Sequence, residues 1–335
     1  MTGPAVPRVS KPVLSVRSSA LLARKSGQAI EGLLSLGSLP ILYWLKKDIL
    51  SVSAEREYRN LEKYADRIRI LQSQSPDGAW RSRKSGGSAA GSSRSPFFET
   101  IRYGLRLYDF GCDSRQPAVR KAADFIISTQ DRDGLLGEPD RSEPLLSAHA
   151  LALELLCRFG LDSDSRVQKG FRWLLKSQQP DGGWTTAEGR SDGSAGKKER
   201  TKVRTSSPRV TGIVLRALAE SPRWRASREA RKAGDWIQGS VWGRKVPTAV
   251  QVSCRWEEIS YPFAGVNILS CLDALSRMDF RPNDAGVRMG LEWLLRRQSA
   301  SGLWESNEAK ASNEDHLWTT LAVLRVLKRF GLISP

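Results

Sequence analysis

The chain of 335 residues is long enough for one large domain or two ordinary ones, and for a sizeable core. It is 40% hydrophobic and 27% charged, which excludes a low-complexity or disordered chain. Its net charge of +17 favours anionic partners, without choosing among diphosphates, acidic lipid surfaces and nucleic acid.

The elements follow in chain order. Residues 1–15 read as a disordered basic tail, and the first 30 residues hold five Lys or Arg and no acid before Glu31, a composition also found in transit peptides. Val16 to Leu36, with Leu21, Leu22, Ile30, Leu33 and Leu34, is a candidate amphipathic helix. The uncharged stretch Gly32 to Leu45 falls short of the roughly 20 residues of a membrane span. From there an apolar helix and an amphipathic helix alternate. Apolar helices are expected near 39–50, 97–110, 145–159, 209–220, 262–278 and 316–330. Amphipathic helices are expected near 54–74, 117–130, 166–178, 228–240 and 285–298. VRKAADFIISTQ (119–130), VQKGFRWLLKSQ (167–178) and VRMGLEWLLRRQ (287–298) align without gaps.

A short turn closes most amphipathic helices. It reads Gln74-Ser-Pro-Asp-Gly-Ala-Trp80, Gln178-Gln-Pro-Asp-Gly-Gly-Trp184 and Gln298-Ser-Ala-Ser-Gly-Leu-Trp304. A fourth copy, Gln130-Asp-Arg-Asp-Gly-Leu-Leu136, has leucine in the tryptophan slot, and a degenerate fifth lies at Trp236 to Trp242. The glycine suits a left-handed helix end. The glutamine can satisfy backbone groups where a helix stops, and the tryptophan offers a flat face to the next repeat. Gln74, Trp80, Gln130, Gln178, Trp184, Gln298 and Trp304 are therefore read as staples between repeats. Two charged, glycine-rich segments, 81–96 and 186–209, follow such turns and read as flexible insertions in a single domain over 16–335. If 16–36 supplies a sixth amphipathic helix, six inner and six outer helices close a ring. An open solenoid would leave the first and last helices without contact.

These turns resemble the repeats of the squalene–hopene cyclase and protein prenyltransferase β-subunit superfamily. YWLKKDI, RWEEISYPF and WTTLAVLRVLKRFG look closer to small prokaryotic toroid proteins without an assigned activity. The resemblance spans about residues 55 to 333. It implies an all-α α/α-toroid around a central, largely apolar cavity that takes an isoprenoid or other lipid-like small molecule.

The family's chemistry has to be sought residue by residue. The Asp-x-Asp-Asp acid of type II cyclases is absent; Asp131-Arg-Asp133 and Asp162-Ser-Asp164 sit in turns, where capping explains them. The zinc set of the prenyltransferases is absent too. Trp318 stands where its histidine would be, and the inner helix that should carry Asp-x-Cys reads Tyr261-Pro-Phe-Ala-Gly-Val-Asn267, with neither ligand. Asp273, Cys271 and His316 have ligand types that suit zinc but not its spacing, and no cofactor is expected. His149, Glu154 and Asp315 are the candidate catalytic groups, as titratable residues on inner helices. Asn267 and Trp318, with Lys197, Lys198 and Arg200 of the second insertion, are the candidate ligand contacts.

Four cysteines without a CxxC pair fit a reducing, cytoplasmic setting, with peripheral contact to acidic membrane through the basic charge. Nucleic-acid binding rests on charge alone, without a basic–aromatic pattern. Two functions stand: a cyclase- or prenyltransferase-like enzyme, and a non-catalytic lipid-binding or protein-interaction scaffold. The oligomeric state is open.

Overall fold

The computed structural model describes residues 16–81, 95–138, 145–185, 206–242, 256–263 and 265–334. These form thirteen α-helices and a π-helical turn, arranged as an α/α-toroid. Its inner ring consists of α2 (Leu39–Trp44) with the π-helical turn Leu45–Leu50, α5 (Pro96–Asp109), α7 (Leu146–Arg158), α9 (Pro208–Glu220), α11 (Ile268–Arg277) and α13 (Asn313–Arg329). Its outer ring consists of α1 (Val16–Leu36), α3 and α4 (Glu55–Leu61, Ala65–Gln72), α6 (Pro117–Ser128), α8 (Ser165–Lys176), α10 (Arg228–Trp242) and α12 (Ala285–Arg296).

Composition sorts the two rings. Every residue of α9 from Val210 to Ala219 is buried, and so is every residue of α13 from Leu317 to Leu327. Helices apolar on nearly all faces need neighbours on all faces, so they occupy the inner ring. α8 buries Val167, Gly170, Phe171 and Leu174 on one stripe and turns its charges to solvent.

The repeat turns explain how successive hairpins are joined. The Gln74 side-chain amide donates to the carbonyl of Gly78 (2.9 Å) and to that of Ala118 on α6 (2.8 Å). Gln130 does the same to Gly134 and to Arg166 on α8, and Gln178 to Gly182 and to Glu229 on α10. Each glutamine thus ties its own turn to the first turn of the next outer helix. The indole N–H groups of Trp80, Trp184 and Trp304 donate to carbonyls ten residues earlier, at Ile70, Leu174 and Leu294. Their backbone N–H groups donate to Thr100, Thr211 and Thr320 on the following inner helices. In the leucine copy the N–H of Leu136 donates instead to Nδ1 of His149.

The same geometry closes the ring. Gln298 donates to the carbonyl of Lys25, on α1, and Gly302 lies against Gln28 three residues further on. That offset repeats Ala118 with Lys121, Arg166 with Lys169 and Glu229 with Lys232. α1 is therefore in the register of a sixth outer helix. Across the same seam Ser38 bonds Glu314 (2.5 Å), and Arg325 pairs with Asp48 (2.8 Å).

Four stretches depart from the sequence expectation. The outer helix expected over 54–74 is broken between Leu61 and Ala65. The inner helix expected from 262 starts only at Ile268, because Asn267 caps it in a reciprocal box with Ser270. The ends of both expected insertions are helical: Ser95 caps α5 ahead of Pro96, and Ser207 caps α9 ahead of Pro208. Residues 82–94 and 186–205 of the two insertions, and residues 1–15, lie outside the described residues. No described helix is long and apolar enough to cross a membrane.

Candidate functional site in the ring centre

An outer helix returns the chain between successive inner helices, so the inner helices run the same way. Their C-terminal ends converge on a cavity of about 680 Å³, within the range of small-molecule sites. Its lining comes from the first inner segment (Tyr43 to Asp48), the ends of α5, α7, α11 and α13, and the loop at Tyr261 and Phe263.

The lining corrects the expectation of a largely apolar cavity. Tyr43, Trp44, Tyr108, Tyr261 and Phe263 supply aromatic surface. Six cations, Lys47, Arg158, Arg277, Arg325, Lys328 and Arg329, share the lining, Lys47, Arg158 and Arg325 lying against the rings of Trp44 and Tyr108; three carboxylates, Asp48, Asp113 and Asp273, complete its charged groups. The physical reason is positional. The free carbonyls of the inner helices gather here, and cations in a helix's last turn are favoured by its dipole.

The arginines are held in a chain of ion pairs. Glu154 is fully buried between Arg158 (2.8 Å) and Arg216 (2.9 Å). Arg158 continues to Glu220 (3.1 Å), Glu220 to Arg277 (3.2 Å), Arg277 to Asp273 (3.2 Å) and Asp273 to Arg329 (2.6 Å). Burial opposes charge at Asp273, yet Arg277 and Arg329 hold its carboxyl below the usual range. Glu220 is lowered in the same way, against burial, by Arg277 and Arg158. Burial lowers Arg329, helped by Arg277 and Arg325 and opposed by Asp273. Four arginines, Arg216 included, share three carboxylates in this chain.

Asp109 differs from these acids. It is 2% exposed, and its carboxylate accepts from the Tyr261 hydroxyl at 2.6 Å. Burial raises its pKa, only partly offset by that hydrogen bond and the more distant arginines. Tyr261 lines the cavity and stacks on Trp318 at 5.5 Å between ring centroids. The Trp44 indole bonds the Asp109 carbonyl (2.7 Å), which fixes the same corner.

The residues singled out from sequence are not brought together. Glu154 is spent on two guanidiniums. His149 is fully buried; Nδ1 accepts from Leu136, so Nε2 donates to the Gly170 carbonyl (3.1 Å). Burial lowers its pKa to about 4, which keeps it neutral. Asp315 closes the capping box of α13 with Ser312. Asn267 caps α11 and bonds Ser260. Trp318 is buried behind Tyr261. His149, Asn267, Asp315 and Trp318 stand at or near helix starts, while the cavity lies at the helix ends, and none of them lines it. Lys197, Lys198 and Arg200 lie outside the described residues. Of the residues weighed for zinc, Asp273 faces two guanidiniums and Cys271 is buried on α11.

What the sequence reading missed was legible as charge on apolar helices. Arg325, Lys328 and Arg329 interrupt α13, and Glu154–Arg158 and Asp273–Arg277 are pairs at four-residue spacing.

No family model matches the chain. Enfumafungin synthase from Hormonema carpetanum is 31% identical over 156 residues, which cover 42% of this chain. The chain spans 11% of that protein's length. Among solved structures, a glycosidase aligns at a TM-score of 0.51 and 14% identity, over 96% of this chain and 100% of that one. The type II terpene cyclase MstE from Scytonema aligns at 0.32 and 15% identity, over 82% of this chain and 99% of that one. The likeness to the glycosidase bears on the fold alone, and the chemistry has to come from the site.

Proposed function

We propose that this toroid binds an amphipathic anion of the isoprenyl diphosphate class in its central cavity. One observation carries the reading: five aromatic and six cationic side chains line one cavity of about 680 Å³. Aromatic faces suit a branched hydrocarbon, and guanidinium and ammonium groups suit phosphate oxygens. A thermal-shift panel tests it, with geranylgeranyl diphosphate, pyrophosphate, a neutral polyprenol and a DNA duplex. A ligand at 100 times its Kd stabilises by about 2.7 kcal/mol. The diphosphate should give the largest shift; DNA alone giving one would contradict the reading.

Asp109 favours a second, catalytic reading. A buried carboxyl with a raised pKa, touching a cavity tyrosine, can hold a proton for delivery to a bound alkene. Asp109→Asn should then abolish any cyclised product without weakening diphosphate binding. Product formation by the variant would leave the binding function alone.

A further inference from the structure

We propose that the cavity holds a phosphate-type anion site built across the ring's seam, from Lys47 on the first inner segment and Arg325, Lys328 and Arg329 on the last, so that a bound anion locks the ring shut. The proposal deepens the reading above by placing the anionic group and giving it a structural consequence.

The local charge balance carries the argument. Arg325 is matched by Asp48, and Arg329 shares Asp273 with Arg277. The two lysines have no such match among the described residues. The Lys328 ammonium donates to two neutral oxygens, the Ile49 carbonyl (2.9 Å) and the Ser51 hydroxyl (2.7 Å). The Lys47 ammonium reaches the Tyr43 hydroxyl (3.2 Å) and lies 4.8 Å from the Trp44 ring centroid. Asp113, the remaining carboxylate of the lining, pairs with Arg115 (2.8 Å) and feels Lys47 only at longer range. One wall of the cavity thus carries a cationic surplus. Lys47 is exposed and Lys328 half-buried, so an anion can reach both ammonium groups. Like charges gathered on one wall repel one another, and a multiply charged anion is the ligand that offsets this repulsion. Ammonium groups supply point charges and guanidiniums paired donors, a combination that fits phosphate oxygens.

The surplus straddles a boundary. Lys47 belongs to residues 39–50, and the other three belong to α13, which meets that segment only because the chain closes on itself. An anion gripped from both sides is bound by the closed ring and not by an open one, so binding adds its free energy to closure.

The test uses the full chain with sodium pyrophosphate and with geranylgeranyl diphosphate. Affinity is measured by calorimetry and closure by amide hydrogen exchange. Either probe should slow exchange in residues 16–50 and 313–329 more than in α9. Lys47→Gln, at an exposed position where folding is not at stake, should weaken both probes at least about tenfold. Lys47→Gln/Lys328→Gln should weaken them further, and Lys63→Gln, an exposed lysine outside the cavity, should change neither. Equal losses in the Lys63 and Lys47 variants would mean diffuse attraction to a basic protein and would overturn the site. Isoprenyl diphosphate bound with wild-type affinity by the Lys47 variants would overturn it while leaving the cavity reading intact. Pyrophosphate bound through Lys47, with no added affinity from the prenyl chain, would support the site and overturn the isoprenoid reading. Tight binding without slower exchange at the seam would overturn the lock.

Discussion

Gly78→Ala should be among the most damaging small substitutions in the chain. Gly78 has φ +90°, in the left-handed region. Alanine there costs about 1–2 kcal/mol from its own backbone. Space adds a second cost. A Cβ on Gly78 would lie 2.2 Å from the Lys121 carbonyl oxygen and 2.6 Å from its carbon, both backbone atoms of α6. Relief requires the turn to back away from α6 by about an ångström, which stretches the 2.8 Å bond from Gln74 to Ala118. Losing that bond adds roughly 1 kcal/mol. The expected loss is about 2–4 kcal/mol, read as a lower midpoint in urea unfolding. Gly27→Ala is the control. It lies within α1, its added Cβ meets nothing within 4 Å, and it should stabilise by about 0.5–1 kcal/mol. A Gly78 variant within about 0.5 kcal/mol of wild type would refute the account of how the hairpins are joined.

Trp184→Ala removes a fully buried side chain whose indole N–H bonds Leu174, and should destabilise by about 3–5 kcal/mol in the same unfolding assay. Glu154→Gln leaves Arg216 buried without a carboxylate partner among the described residues and Arg158 with Glu220 alone; a loss of about 3–5 kcal/mol is expected, whatever the ligand. His149 should make stability acid-sensitive. Its folded pKa is about 4 against an ordinary 6.5, so as pH falls between those values the unfolded chain takes a proton that the folded chain refuses. His149→Thr, which installs the residue used by three other repeats, should flatten that part of a Tm-against-pH curve. An unchanged slope would place the sensitivity in the carboxylates.

The ring was legible because two periodicities and one turn recur. Even α1 could be read as the missing outer helix, although no repeat turn precedes it, since its apolar residues keep helical spacing. Its register was not legible. That depends on Gln298 reaching the carbonyl of Lys25, a pairing across 273 residues that no local pattern announces. His149 looked functional because a histidine on an apolar helix is conspicuous. Its alignment with Thr100, Thr211 and Thr320 appears only once hydrogen bonds are seen. The cavity was hardest to foresee. The resemblance drew attention to the starts of inner helices, whereas the lining gathers at their ends. The contact of Asp109 with Tyr261 spans 152 residues and depends on a loop that was expected to be helical.

The most direct test of a ligand in the ring centre is a calorimetric titration of geranylgeranyl diphosphate into the wild type and into Ala322→Phe. Ala322 lines the cavity from α13 at 1% exposure, so phenylalanine fills space that the ligand would need. The account predicts saturable one-site binding by the wild type and none by the variant, with the same helical circular dichroism. Equal binding by both would put the ligand elsewhere and contradict it.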